Sequence, residues 1–287
     1  MSLPDHLPVV PDTLDTHVID NHTHLYSTLE YSGLSIQDSL DAAAAAGVIG
    51  VVEVGCDVPS SRLAAELAGR DPRVRAAVAL HPNDAGRVFQ RGGLAALDDE
   101  LAQLPALVAM PGVVAVGETG LDYYRTRHPE AQGAQAHSFR AHIELARSTG
   151  KTLVIHDRDA HADILKILDA ADRPERVVMH CFSGAVDFAR ECVDRGFWLS
   201  FPGVVTFGSA GPLREAAKAT PLERMLVETD APYLTPRPHR GKPNAPYLLP
   251  HTVTFLADLL EVPLDEFCRQ VRANTEAAYA TRWGDGA

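Results

Sequence analysis

Residues 18–24 read Val18-Ile19-Asp20-Asn21-His22-Thr23-His24. An apolar, β-branched start runs into two histidines spaced two apart. On a strand that spacing puts both imidazoles on one side. A dinucleotide-binding open sheet would carry a GxGxxG turn after its first strand, so that the backbone can approach a pyrophosphate. Here the position holds His22-Thr23-His24. The first strand therefore ends in groups that bind cations, and the fold is decided by what the later strands bring to the same place.

After the first run, 18–21, further short apolar runs occupy 48–54, 74–80, 113–116, 152–155, 177–179, 197–200 and 225–227. Segments of helical composition fill 35–47, 60–69, 132–150, 160–171, 185–196, 213–219 and 250–260. Gly47, Gly69, Gly150 and Gly196 stand where helices should stop. Apolar strands alternating with helices predict a parallel sheet covered on both faces. Eight such units predict an α/β fold, a closed (β/α)8 TIM-like barrel. No internal repeat or low-complexity linker divides the chain, so residues 1–287 are expected to form a single domain, with a core over about residues 17–281.

Composition narrows the function classes. Of 287 residues, 46% are hydrophobic and 22% charged, an ordinary globular mix that excludes a disordered or collagen-like chain. The longest stretch without strongly polar residues, 42–52, is too short to cross a bilayer, and no secretory signal is visible. Cys56, Cys181, Cys192 and Cys268 show no CxxC spacing and are expected to be reduced thiols of a cytoplasmic protein. The net charge of −12 lacks the basic field of a general nucleic-acid binder. A phosphate polymer would need local cations or bound metal at the site.

Histidines or carboxylates finish five of the strands. Strand one supplies His22 and His24, strand four Glu118, strand five His156, strand six His180 and strand eight Glu228 and Asp230. In a parallel barrel all of these ends face one rim, where such folds keep their active sites. Each residue alone has a structural explanation, a capped helix or a turn. Together, the four imidazoles with Glu118 and Asp230 exceed what one ion takes and suit two ions sharing a carboxylate.

Several runs carry a family resemblance: Asn21-His22-Thr23-His24, Gly117-Glu118-Thr119-Gly120-Leu121-Asp122, Ile155-His156, His180-Cys181-Phe182-Ser183-Gly184, Glu228-Thr229-Asp230-Ala231-Pro232 and Arg240-Gly241-Lys242. In this order they resemble the signatures of the TatD family, metal-dependent hydrolases and deoxyribonucleases of the amidohydrolase-like barrels. The resemblance implies that His22, His24, Glu118 and Asp230 hold one divalent ion and that Glu118, His156 and His180 hold a second, with Glu118 bridging. It implies hydrolysis of DNA phosphodiesters, in some members as a 3′→5′ exonuclease. Asp230 and Glu118 are the expected catalytic pair, Asp230 accepting the proton of the attacking water. The metals are expected among Mg, Mn, Zn, Fe and Ni.

Substrate contacts are expected from His81, Arg158, Ser183, Glu228, Arg240 and Lys242. Ser183 opens a helix, whose free N–H groups suit an anion. Arg240 and Lys242 lie in the Pro-rich stretch 231–250, which reads as a structured loop after strand eight. Glu228 reads as a residue that orients a ligand or a substrate-binding cation. Tyr123 and Tyr124 read as pocket wall, and His142 as helix packing. Two departures from the family pattern stand out: Asn83 where the family has the second His of His-Pro-His, and Pro243-Asn244-Ala245-Pro246 where it has Asn-Glu-Pro after an Arg. The expected partner is DNA or another nucleic-acid substrate, with no membrane and no obligatory protein partner. A metal-dependent ester or amide hydrolase, such as a D-aminoacyl-tRNA deacylase, would use the same metals. A non-catalytic, metal-stabilised binding component fits the intact ligand set less well, because structural metal sites are usually closed.

Overall fold

Eight parallel strands follow one another around the sheet in sequence order in a computed structural model that describes residues 4–284. They are β1 (Val18–Thr23), β2 (Val48–Val54), β3 (Val74–Val78), β4 (Val113–Asp122), β5 (Thr152–Arg158), β6 (Val177–Met179), β7 (Trp198–Phe201) and β8 (Met225–Val227). The α-helices are α1 (Leu25–Ser32), α2 (Ile36–Ala45), α3 (Val58–Ala68), α4 (Pro82–Leu101), α5 (Leu104–Val108), α6 (Pro129–Thr149), α7 (His161–Ala170), α8 (Val186–Asp194), α9 (Gly211–Ala219), α10 (Leu249–Leu259) and α11 (Leu264–Ala278). This is the expected TIM-like barrel. Local chemistry agrees with the element ends. Ser35 caps α2 by accepting from Asp38 N–H, Asp57 makes a capping box with Ser60 on α3, and Gly150 ends α6 in the left-handed region.

The ring closes between β8 and β1 through side chains and backbone together. Asn21 Nδ2 donates to the Val227 carbonyl at 2.6 Å, and Asp230 N–H donates to the His22 carbonyl at 3.0 Å. The buried Asp20 carboxylate accepts from Thr229 N–H and Oγ1 at 2.9 and 2.5 Å. Asp20 and Asn21 thus fix the strand end carrying His22 and His24 against the one carrying Asp230.

Two apolar layers form most of the core, and a third, small cluster of Leu80, Ala85, Val88, Leu97 and Ala134 packs α4 against α6. The larger layer packs the outer strand faces against the helices. The smaller layer fills the barrel with Ile19, Val52, Val54, Ala77, Ala115, Val154, Val178 and Leu226. The end at which the strands begin is plugged from the C-terminal part of the chain. Trp283 Nε1 donates to the Arg73 carbonyl, Thr152 Oγ1 to Ala278, and Asn274 Nδ2 to Met225. A side chain at Gly50 would collide with the Trp283 ring. Only the opposite rim is left open for chemistry.

Three strands outrun their apolar cores. β1, β4 and β5 continue to Thr23, Asp122 and Arg158, beyond the expected ends at residues 21, 116 and 155. Pairing of Gly120 with His156 and of Asp122 with Arg158 carries the ladder into the polar rim. Helices α1, α4, α5 and α11 also lie outside the segments read as helical. Glycines at 86, 92 and 93 break the apolar period of α4, which kinks at Gly93 with φ 70°.

Candidate metal centre

Glu118 sits at the middle of the open rim, buried, with its two carboxylate oxygens facing different neighbours. Oε1 lies 3.9 Å from His22 Nε2 and 3.7 Å from His24 Nε2. Asp230 Oδ1 completes that half, 3.9 Å from His22 Nε2 and 3.5 Å from His24 Nε2. Oε2 lies 2.9 Å from His180 Nε2 and 3.2 Å from His156 Nδ1. Donors bound at about 2.0–2.2 Å to a tetrahedral ion stand roughly 3.3–3.6 Å apart, so the imidazole–carboxylate spacings of this half, 3.5–3.9 Å, need only a slight contraction, and His22, His24 and Asp230 already lie close enough together to share an ion.

The local backbone explains why these side chains meet. A side chain at Gly120 would strike the His156 carbonyl oxygen, and one at Gly117 would come within 2.5 Å of Val154 Cβ. The glycines let β4 lie close against β5, bringing Glu118 beside His156. Asp230 adopts a left-handed φ of 53°, pinned by its N–H to His22 and by Tyr233 N–H donating to its carbonyl at 2.9 Å. That unfavourable conformation turns its carboxylate toward His24.

The imidazoles are oriented from behind. His24 Nδ1 faces the Val54 carbonyl at 2.9 Å and donates to it, leaving Nε2 free. His180 Nδ1 lies 3.2 Å from Glu228 Oε1. His156 Nε2 lies 3.4 Å from Asp122 Oδ2, and Asn83 Nδ2 donates to the same oxygen at 2.9 Å. Asn83 thus has a positioning contact of its own. His22 is different: it is fully buried and neither ring nitrogen has a hydrogen-bond partner. Leaving such a polar ring unpaired is costly, and a cation between it, His24, Glu118 and Asp230 removes the penalty. The donor set therefore fits a divalent ion.

Electrostatics describe the same cluster. Burial, followed by the neighbouring His180, holds His22 well below its ordinary pKa. For His180, burial opposes charge, but Glu228 and Glu118 outweigh it and raise the imidazole well above the usual value. Burial likewise opposes charge on Glu118, yet His180 and the other imidazoles leave the carboxyl well below its usual range. Burial pushes His81 down to about 3.

A cavity of about 1000 Å³ opens over the cluster. It is lined by Glu118, His81, His156, His180, Asp230 and His24, together with Arg158 and Ser183 among the expected substrate contacts. Three other expected contacts fall elsewhere or act differently. Glu228 is completely buried behind His180, accepting also from Cys181 N–H at 2.8 Å and Ser200 Oγ at 2.5 Å, so it positions His180 and touches no substrate. Arg240 and Lys242 are exposed and do not line the cavity. Buried Asn244 donates to the Thr229 and Tyr233 carbonyls and fastens the loop, and the Arg240 guanidinium stacks on Phe207 at 4.5 Å. The arginines that do line the cavity are Arg87, Arg125, Arg127 and Arg158, with Tyr124 beneath Arg158 at 4.0 Å. Sequence reasoning also passed over Asp122 and Cys56. The Cys56 thiol lies 3.6 Å from Glu118 Oε1 and offers a further soft donor beside His24. His142 serves the fold: its Nε2 accepts from Leu80 N–H at 3.0 Å.

A parallel barrel whose open rim gathers these donors belongs to the class of metal-dependent hydrolases. The family model described as TatD related DNase matches residues 19–280, and the chain belongs to the TatD family. It is 45% identical over 269 residues to a Mycobacterium tuberculosis protein named "Uncharacterized metal-dependent hydrolase TatD", covering 93% of this chain and 99% of that one. It is 34% identical to a Citrobacter rodentium protein named "3'-5' ssDNA/RNA exonuclease TatD", covering 83% and 89%. A solved TatD homologue from Escherichia coli K12, YJJV, superposes with a TM-score of 0.82 at 27% identity, covering 92% and 98%. Among the described residues no helix is long and apolar enough to cross a membrane.

Proposed function

We propose that the chain is a two-metal phosphodiesterase acting on DNA or a related single-stranded nucleic acid. The observation that carries this reading is the division of Glu118: Oε1 faces His22 and His24, the two imidazoles that Asp230 also approaches, whereas Oε2 faces His156 and His180. One carboxylate addressing two donor groups suits two cations a few ångströms apart. Such ions supply positive charge that activates water and stabilises developing negative charge on a phosphoryl oxygen.

The chain's own residues supply the rest. Asp230 lines the cavity and keeps a partly exposed carboxylate there, where it accepts the proton of the attacking water. Glu228 and Asp122 hold His180 and His156 in register. Arg125, Arg127 and Arg158 give an otherwise acidic protein local cations for a phosphate backbone. The activity named for the Citrobacter rodentium relative supports the nucleic-acid substrate.

The test is a substrate panel. Metal-stripped protein receives Mg²⁺, Mn²⁺ or Zn²⁺ and is offered single-stranded DNA, duplex DNA and D-aminoacyl-tRNA. Metal-restored cleavage of single-stranded DNA is expected. Deacylation without cleavage of any nucleic-acid strand would overturn the reading.

A further inference from the structure

His81 stands at the cavity within reach of the same cluster, and position alone would make it another metal ligand. Its Nε2 lies 3.4 Å from His156 Nδ1 and 3.9 Å from Glu118 Oε2. The other ring nitrogen decides otherwise. His81 is the N-cap of α4, and its Nδ1 accepts from Asn83 N–H at 3.0 Å. A backbone N–H can only donate, so Nδ1 must present its lone pair. In the neutral ring the proton then sits on Nε2, facing the cavity.

That bond is built in. Pro82 fills the first helical position without an N–H, so Asn83 N–H is an early helix donor in need of an acceptor. His81 N–H is itself tied to the Cys56 carbonyl at 2.8 Å, and the preceding Leu80 N–H to His142. To ligate a metal through Nε2, the ring would have to move its proton to Nδ1, directly against Asn83 N–H. The cap would be lost and two donors would confront each other.

We propose that His81 is a catalytic residue that donates an Nε2–H hydrogen bond to a non-bridging oxygen of the scissile phosphate, and that it ligates no metal. The proposal rests on the phosphodiesterase reading for the identity of that oxygen; the tautomer stands on the cap alone. A fixed donor aimed where charge develops stabilises the transition state more than the ground state. Removing one such donor costs about 10²–10³-fold in kcat.

The test uses His81→Asn, whose short side chain keeps the cap acceptor and removes the donor from the cavity, with His81→Ala as a second variant lacking both. Long-range ¹H–¹⁵N spectra of the full chain should show the Nε2–H tautomer with and without saturating Zn²⁺. Zn²⁺ content and affinity should match wild type in His81→Asn. On bis(p-nitrophenyl) phosphate and on a single-stranded oligonucleotide, kcat should fall about 10²–10³-fold with KM little changed. A switch to Nδ1–H on loading, or loss of a metal ion from His81→Asn, would make His81 a ligand and overturn the proposal. Unchanged kcat would reduce the residue to a helix cap and overturn it equally. If wild type cleaves neither probe, the phosphodiesterase reading and the assigned oxygen fail together, and the spectra still decide the tautomer.

Discussion

Replacing Glu228 by Gln tests how the buried second layer controls the metal centre. The carboxylate is completely buried, accepts two hydrogen bonds and faces the His180 imidazole. Cys181 N–H and His180 Nδ1 meet Oε1 at 2.8 and 3.2 Å, and Ser200 Oγ meets Oε2 at 2.5 Å. Gln can keep one oxygen toward Cys181 and His180. Its amide nitrogen must then face Ser200 Oγ, which already accepts from Asn21 Nδ2 at 2.7 Å and would have to turn its own hydrogen elsewhere. Bonds to a charged acceptor contribute about 1.5–3 kcal/mol against roughly 0.5–1.5 for neutral ones, so the substitution should cost about 1–3 kcal/mol of stability. The larger effect is on the metal, because a neutral amide makes His180 a weaker base. Loss of such an orienting partner typically lowers affinity about 10–100-fold, or roughly 1.4–2.7 kcal/mol. Glu228→Ala should be worse for the fold, by about 3–5 kcal/mol, since it strands His180 and Cys181 N–H without an acceptor. Chelator-competition titration with Zn²⁺ on folded Glu228→Gln reads the affinity, and urea unfolding reads the stability. Equal Zn²⁺ affinity in wild type and Glu228→Gln would show that Glu228 does not tune His180 as a ligand.

Asp230→Asn should retain its metals, judged by elemental analysis, and lose about 10²–10⁴-fold in kcat on single-stranded DNA, because an amide cannot accept the proton of water; wild-type kcat would remove Asp230 from that role. Replacing Arg125, Arg127 and Arg158 together by Ala should flatten the salt dependence of KM on single strands by a slope of roughly 0.7 per lost phosphate contact, whereas Arg240→Ala with Lys242→Ala should leave it near wild type; the reverse pattern would place the strand on the Pro-rich loop. Metal removal by a chelator should lower Tm, since an ion at 100 times its dissociation constant adds about 2.7 kcal/mol to the folded state, and scanning fluorimetry checks it. Metal affinity should itself fall as the pH drops, beginning above the ordinary imidazole range because His180 holds its proton more tightly than a free imidazole and competes with the ion, which calorimetry at two pH values would show.

The barrel and its donor set were legible because they depend on local pattern. Apolar runs alternate with helical segments, and the polar residues that end the strands converge once the strands are parallel. The misplaced features depend on tertiary packing. Nothing local distinguishes Arg240 from Arg125: one turns onto Phe207 because Asn244 fastens its loop, while the other lines the cavity beside Asp122. Glu228 and Asp230 share a short motif, and the reading of Glu228 as a residue that orients a ligand agrees with its place behind His180, whereas the substrate contact expected of it does not, since only Asp230 reaches the cavity. Helix α4 was hidden by its glycines and by the kink at Gly93. The role of Trp283 as a plug at the far end of the barrel comes from its contact with Arg73, remote in sequence.

If Glu118 addresses two cations at once, the spectrum of the manganese-loaded protein must show it. At saturation, electron paramagnetic resonance should show an exchange-coupled Mn²⁺ pair, as expected for two ions about 3.5–4 Å apart sharing a carboxylate. The sharp, uncoupled spectrum of isolated Mn²⁺ at full loading would mean that Glu118 does not bridge two ions.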